Sequence, residues 1–402
     1  MSMLTDHLAP IGSVYQEISL SCGACTVETI SDLAGLQAIE QDWSRLSAST
    51  RSPNVFTTIE WFRIWYESLA LEWGHNCFRP NVLVVKDGDT VIGIAPIVHR
   101  KISRFGFSLR VLKFVGDHCD YSDLLLTEPV QRRRVAQAIV QHLSKMTHQW
   151  DLVSLRDLRD EDEIARMQGA LATTRLHSRV RPEPEGSPYM RLETGTAGIL
   201  QKMSANGRRN FRREIEAVKR AGMTVRIIED PQAESGLVER MAAVEREKSV
   251  SRGIPPFVSK YPAAFRSLIN ALGPRGWLYV ALLEKQEHLV SFALVFRCGR
   301  AIWGYTMAYD PAFARFSPGK VLLSYLWDHS FSRGYEEFDF LAGDEPFKFR
   351  WSAGSHSKFR LLIWNRRLVS RAGKWVYEDL KPALLRILER VRAKMPRGRR
   401  EK

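Results

Sequence analysis

Apolar residues recur first with a helical period. Leu33, Leu36, Ile39, Trp43 and Leu46 stand three or four positions apart, and after a turn at Ser52-Pro53-Asn54 the run TIEWFRIWYESLALEW puts Trp61, Ile64, Trp65 and Leu69 on one face. The period then changes. NVLVVKDGDTVIGIAPIVHRK is a pair of apolar runs about a DGD turn, which predicts a β-hairpin. VLKFVG and DYSDLLL predict short strands, and VAQAIVQHLSKM predicts a helix with Val135, Ile139, Leu143 and Met146 on one side. WDLVSLRDL predicts a buried strand. Pro and Gly punctuate the stretch from Arg181 to Pro188, and a domain boundary is placed there.

The second part of the chain repeats this order. A basic helix over 202–221 leads to the strand MTVRIIE, and helices over 235–249 and YPAAFRSLINAL follow. GWLYVALLEKQEHLVSFALVFRCGRAIWGYTMAY predicts a hairpin and a third strand. KVLLSYLWDHSFSRG then predicts a helix and YEEFDFLAG a strand. Helices, hairpin, strand, helix, strand thus occur twice, which is the mark of a duplicated domain and not of a short solenoid repeat. The expected organisation is an extension over 1–27, domains over 28–185 and 186–370, and a basic amphipathic tail over 371–402.

Length agrees, since 402 residues exceed what one hydrophobic core usually organises. No run of eighteen apolar residues occurs and the first twenty residues lack a basic segment followed by an apolar one, so a cytoplasmic protein is expected. Of the cysteines, Cys22 and Cys25 form a lone CxxC with no second pair to complete a zinc set, and no metal is expected.

The net charge of +14 is localised. Segment 202–220 carries seven basic and two acidic residues and 371–402 carries eleven and four, leaving the remainder nearly neutral. Two such patches suggest an anionic ligand, an acidic membrane surface or a solubilising face. The tail's Leu380, Leu384, Ile387, Val391 and Met395 share one helical face, as a peripheral contact at the inner face of a membrane would require.

Two stretches carry candidate chemistry. Ser317-Pro318-Gly319-Lys320 follows a strand and opens a helix, where free amides and the positive end of the macrodipole attract an anion. FDFLAGDEPFKFRW runs from an apolar strand into acids, bases and aromatics, and strand carboxyl ends are where α/β sheets hold ligands.

These motifs bear a resemblance. FDFLAGDEPFKFRW, with GYTMAYDPAFARFSPGKVLLSYLWDHSFSRGY before it, resembles the C-terminal half of the CelD/BcsL-type acetyltransferases of cellulose and exopolysaccharide biosynthesis, within the GNAT superfamily. SPNVFTTIEWFRIWYE, DGDTVIGIAPIVHRK and VGDHCDYSDLLL resemble that family's N-terminal half, so the likeness runs over about residues 28–365. The family in turn resembles the FemAB peptidyltransferases, which are two fused GNAT-like halves.

The resemblance implies an α/β (α+β) fold of two tandem GNAT-like domains, each a mixed twisted sheet flanked by helices. It also implies acyl transfer from acetyl-CoA or another acyl-CoA to an amine or hydroxyl on a small-molecule, sugar or lipid-linked acceptor. The pyrophosphate is expected at Ser317, Pro318, Gly319 and Lys320. There the usual Gln/Arg-x-x-Gly-x-Gly/Ala loop is replaced by Phe316-Ser317-Pro318-Gly319-Lys320, and the first half offers only Thr127 to Arg134, with no glycine.

Glu345 and Asp344 are the candidate bases, with Tyr305 or Tyr309 as acid toward the thiolate. Asp120, Tyr121, Asp123, Arg208, Arg209, Lys348, Arg350 and Trp351 are the candidate substrate contacts. Two other readings stand beside this one. They are a FemAB-like aminoacyl transferase gripping tRNA with helix 202–220, and a catalytically degenerate membrane-associated assembly factor.

Overall fold

The computed structural model describes residues 25–49, 54–104, 107–116, 118–126, 129–253, 255–343 and 345–376. The extension up to residue 24 with Cys22, the candidate base Asp344 and the tail from residue 377 lie outside the described residues.

The helical text folds as its period requires. Helices Leu33–Ala38 and Glu40–Ala48 break at Ile39 yet keep Leu36, Ile39, Trp43 and Leu46 buried. Helix Ile59–Trp73 starts at Thr58, whose hydroxyl accepts the Trp61 amide at 3.2 Å, and ends at Gly74, where a φ of 81° suits a residue without Cβ. The DGD turn joins strands Val82–Asp87 and Thr90–Ala95. Alternation sends Val82 and Val84 into one cluster and Leu83 and Val85 into another, so both faces of this hairpin are covered.

In the first half, a four-stranded sheet has the order Thr26–Ile30, Val82–Asp87, Thr90–Ala95, Leu125–Leu126. A six-stranded sheet has the order Phe78–Pro80, Ile97–Arg104, Phe107–Phe114, Leu152–Leu158, Phe359–Trp364, His177–Pro182. The second half is one seven-stranded sheet: Met223–Ile228, Leu278–Lys285, His288–Cys298, Ala301–Tyr309, Glu337–Asp339, Ser187–Arg191, Gly354–His356. Each half holds a parallel pair with a crossover helix. Phe107–Phe114 and Leu152–Leu158 are joined over helix Pro129–Lys145, and Ala301–Tyr309 and Glu337–Asp339 over helix Pro318–Ser332.

One strand crosses between the halves. Ser187–Arg191, which follows the first half in sequence, lies between two strands of the second sheet. Phe359–Trp364 lies between Leu152–Leu158 and His177–Pro182 of the first half. The expected division at 185/186 therefore has to be corrected at its far end, because residues 359–364 complete the first half's sheet. Two expected strands are also shorter than their apolar runs: DYSDLLL yields Leu125–Leu126 and YEEFDFLAG yields Glu337–Asp339. Outside these short strands, Asp120 accepts the Ala342 amide across the halves and Asp123 accepts from Asn54.

One aromatic-rich core cluster joins the halves, with Trp61 and Trp65 of helix Ile59–Trp73 in the same cluster as Phe265, Phe292 and Phe296 of the second half. Outer clusters place Val135, Ile139 and Leu143 under the first half and Val321, Leu322 and Trp327 under the second. No helix among the described residues is long and apolar enough to cross a membrane.

Candidate functional site

At the carboxyl end of each parallel pair the backbone turns through a left-handed residue that is not glycine: Asp157 at φ 58° and Leu341 at φ 57°. Such conformations cost energy and persist only where the surroundings hold them. Between these two turns, where the chain crosses from one half to the other and back, lies a cavity of about 240 Å³ lined by Cys119, Asp120, Asp157, Glu183, Pro184, Glu185, Ala342 and Lys358. Both halves and both crossing segments contribute to its wall.

The charges around it are fixed by pairing. Lys358, 3% exposed, lies with its Nζ 3.0 Å from Asp157 Oδ1. Glu183 accepts from Arg360 at 2.7 Å and from Arg156 at 3.3 Å. Asp120 Oδ1 accepts the Ala342 amide at 3.0 Å, and the Ala342 carbonyl accepts from the buried Lys348 ammonium at 2.6 Å. Lys348 also pairs with Glu345 at 2.9 Å.

Burial pushes the Asp120 carboxyl up to about 7, although Lys358 and the Ala342 amide pull it down. Burial likewise raises Asp157, with Lys358 opposing. Glu183 goes the other way: burial works against its charge, but the hydrogen bond from Arg360 and the nearby Arg156 outweigh it. Asp120 is therefore the cavity's acid with a proton affinity matched to neutral pH.

Beside the cavity, the Tyr121 hydroxyl donates to the buried Asp339 carboxylate across the halves, and Asp339 accepts the Leu341 amide at 2.8 Å. Burial raises Asp339 to about 6 against those two hydrogen bonds. Asp123 accepts from Asn54 at 3.4 Å and faces Arg159 at 3.7 Å, and burial raises its carboxyl. Asp120, Tyr121 and Asp123 thus make contacts between the halves or beside them, and of the three only Asp120 lines the cavity.

The other candidates are distributed differently. Glu345 is exposed and holds Lys348. Tyr305 is the extra residue of a β-bulge, since Gly304 pairs with Val295 and Thr306 with Leu294. Its hydroxyl donates to the His118 carbonyl at 3.3 Å, and burial, then Cys119 and Asp120, hold its proton on well above the usual tyrosine range. Tyr309 lies by the opening turn of helix Pro318–Ser332, where a Cβ on Gly319 would come 3.7 Å from its ring. Trp351 packs on Trp327 with ring centroids 5.4 Å apart, and Arg350 is exposed.

The expected anion site is filled from within. Ser317 Oγ donates to Glu214 Oε1 at 3.1 Å and Lys320 donates to Glu214 Oε2. Glu214 comes from the basic helix Ala205–Arg220, whose Phe211 ring lies 4.8 Å from Lys320 Nζ. On that helix Arg208 binds the Met203 carbonyl at 2.7 Å and Arg209 binds Asn206, while Arg212 and Arg213 are exposed. In the first half, Arg132 and Arg134 are bound to Asp160 at 3.1 Å and Asp87 at 2.8 Å.

Sequence reading missed Asp157, Glu183, Lys358 and Glu214. Lys358 stands immediately before the apolar run FRLLIW, the one local sign that its charge enters a covered sheet end.

Two α/β halves, each with a parallel pair and a crossover helix, make this a tandem α/β fold. A family model described as an acetyltransferase (GNAT) domain matches residues 205–349. The structure of FemX aligns at a TM-score of 0.53 and 12% identity, over 80% of this chain and 95% of FemX. A conserved protein of unknown function from Bacteroides thetaiotaomicron aligns at 0.50 and 8%, over 81% of this chain and 97% of its own. A tandem GNAT protein from the clavulanic acid biosynthesis pathway aligns at 0.45 and 12%, over 84% and 98%. No curated protein matches the sequence. At these identities the likeness speaks to fold.

Proposed function

We propose that the chain transfers an acyl group from an acyl-CoA thioester to an amine or hydroxyl acceptor held in the junction cavity. The observation that carries this is Asp120, a carboxyl titrating at about 7 in a polar cavity where the two halves cross. Asp120 takes the acceptor's proton as its nitrogen or oxygen attacks the thioester carbonyl. The tetrahedral adduct then collapses with cleavage of the C–S bond, and the thiolate leaves and is protonated. Lys348 supplies positive charge beside the Ala342 turn, with Glu345 orienting it. Tyr305 keeps its proton and anchors the His118 segment that precedes Asp120. The donor pyrophosphate binds at Ser317 to Lys320 after Glu214 yields its place. The motif likeness to CelD/BcsL acetyltransferases supports a saccharide acceptor in envelope or exopolysaccharide synthesis.

Calorimetric titration with acetyl-CoA, longer acyl-CoAs and free coenzyme A tests the donor, and release of free thiol tests turnover. Asp120→Asn should leave coenzyme A binding intact and lower turnover by about 100-fold or more. Absence of binding by every coenzyme A species would sink the proposal. A second reading, an aminoacyl donor carried on tRNA, is favoured by the exposed Arg212 and Arg213 on the helix that blocks the anion site. It calls for RNA binding that weakens steeply with salt.

A further inference from the structure

A second group of chemistry-bearing side chains lies outside the cavity and is not used by the proposed transfer. Glu337 and Asp339 are two apart on one strand, so they share a face. The neighbouring strand Ser187–Arg191 pairs Tyr189 with Asp339 on one side and Ser187 with His356 on the other. In these antiparallel pairs opposed residues share a face, so Glu337, Asp339, Ser187 and His356 all project to the same side.

Their ligand atoms converge. His356 Nε2 is 2.9 Å from Glu337 Oε1 and 4.0 Å from Asp339 Oδ2, and the three ligand atoms lie within 4.8 Å of one another. An ion bonded at about 2.0–2.2 Å sets neighbouring ligand atoms about 3 Å apart, so small side-chain rotations suffice.

Two further features point to a ligand there and not merely to an ion pair. Asp339 is oriented by Tyr121 and by the Leu341 amide, the outer support that ligating carboxylates require. The His356 ring is stacked on Tyr189 with centroids 4.4 Å apart, which fixes its direction. The nearby Arg159 guanidinium, 4.2 Å from the Tyr121 ring, has Asp123 as counter-charge at 3.7 Å.

We propose that Glu337, Asp339 and His356 form a binding site for one first-row divalent cation. One imidazole and two carboxylates suit Mn²⁺ or Zn²⁺, and they leave coordination positions for solvent on the partly exposed His356 side. Such an ion would tie the strand ends of the second half, through Tyr121, to the first half.

The full chain, stripped with chelator, is titrated with MnCl₂ while free Mn²⁺ is followed by its electron paramagnetic resonance signal. Mn²⁺ is chosen because the Cys22 and Cys25 thiols are poor ligands for it. One equivalent should bind. His356→Ala and Glu337→Gln should each weaken binding by at least about ten-fold, and Tyr121→Phe by roughly ten-fold through loss of support to Asp339. His356 and Glu337 are partly exposed, so at least one of these variants is expected to fold, as circular dichroism would show. Failure of the wild-type chain to take up one equivalent, or equal affinity in folded His356→Ala and Glu337→Gln proteins, would overturn the site and leave a plain His–Glu ion pair.

Discussion

Asp120 shows how much of a site one residue's surroundings decide. Its acid is plain in the sequence beside Tyr121 and Asp123, where it is a candidate substrate contact. Its proton affinity is not legible there, because the burial that raises it comes from the fold, and Lys358 and the Ala342 amide, which oppose it, stand more than two hundred positions along the chain. The folded carboxyl titrates at about 7, above its ordinary value of 3.8. The stability contributed by this raised pKa is therefore full below the ordinary value and is lost as pH rises through about 7. Asp120→Asn keeps an acceptor for the Ala342 amide but carries no charge. The variant should match the wild type near pH 4 and exceed it at pH 8.5 by on the order of 1 kcal/mol, after allowance for the residue's partial exposure. Thermal melts of both proteins across that range check the sign. A difference that does not vary with pH would mean that Asp120 titrates as an ordinary exposed acid.

Among the elements, helix Ala205–Arg220 was read from its charge as a gripping surface for anions. The structure turns one of its two acids inward, and Glu214 meets Ser317 and Lys320 at the opening turn of helix Pro318–Ser332. A run of seven bases hides such an acid from sequence reading, since its partners lie about a hundred positions away. The motif Ser317-Pro318-Gly319 was still correctly seen as the start of a helix. Glu214→Gln keeps the side chain's shape while removing the negative charge on Lys320. It should raise affinity for free coenzyme A by about ten-fold, since the phosphate no longer competes with a carboxylate. The cost to stability should be at most about 1 kcal/mol, as expected for a partly exposed ion pair. Unchanged affinity, with a wild-type melting temperature, would place the donor elsewhere.

The duplicated order of elements was legible across the whole molecule because local periodicity carries it. The crossing of one strand into the other half's sheet was not, since FRLLIW announces burial without saying in which sheet. With the fifth strand in the order of its six-stranded sheet supplied from residues 359–364, a fragment of residues 25–185 leaves one edge of Leu152–Leu158 and the strand His177–Pro182 unpaired. Expressed alone it should aggregate or show no cooperative melt, and co-expression with residues 186–376 should restore a soluble complex. A fragment that melts cooperatively by itself would mean that the inserted strand is dispensable. The same insertion bears on synthesis. Domains generally fold in order as they leave the ribosome, at about 5–20 residues per second, but here the first half stays open-edged until residue 364 emerges, on the order of ten to forty seconds after residue 182. Throughout that interval the nascent chain exposes two unpaired strand edges, so its yield in the cell should depend on chaperone supply and on translation speed through the second half more than on the stability of the finished fold.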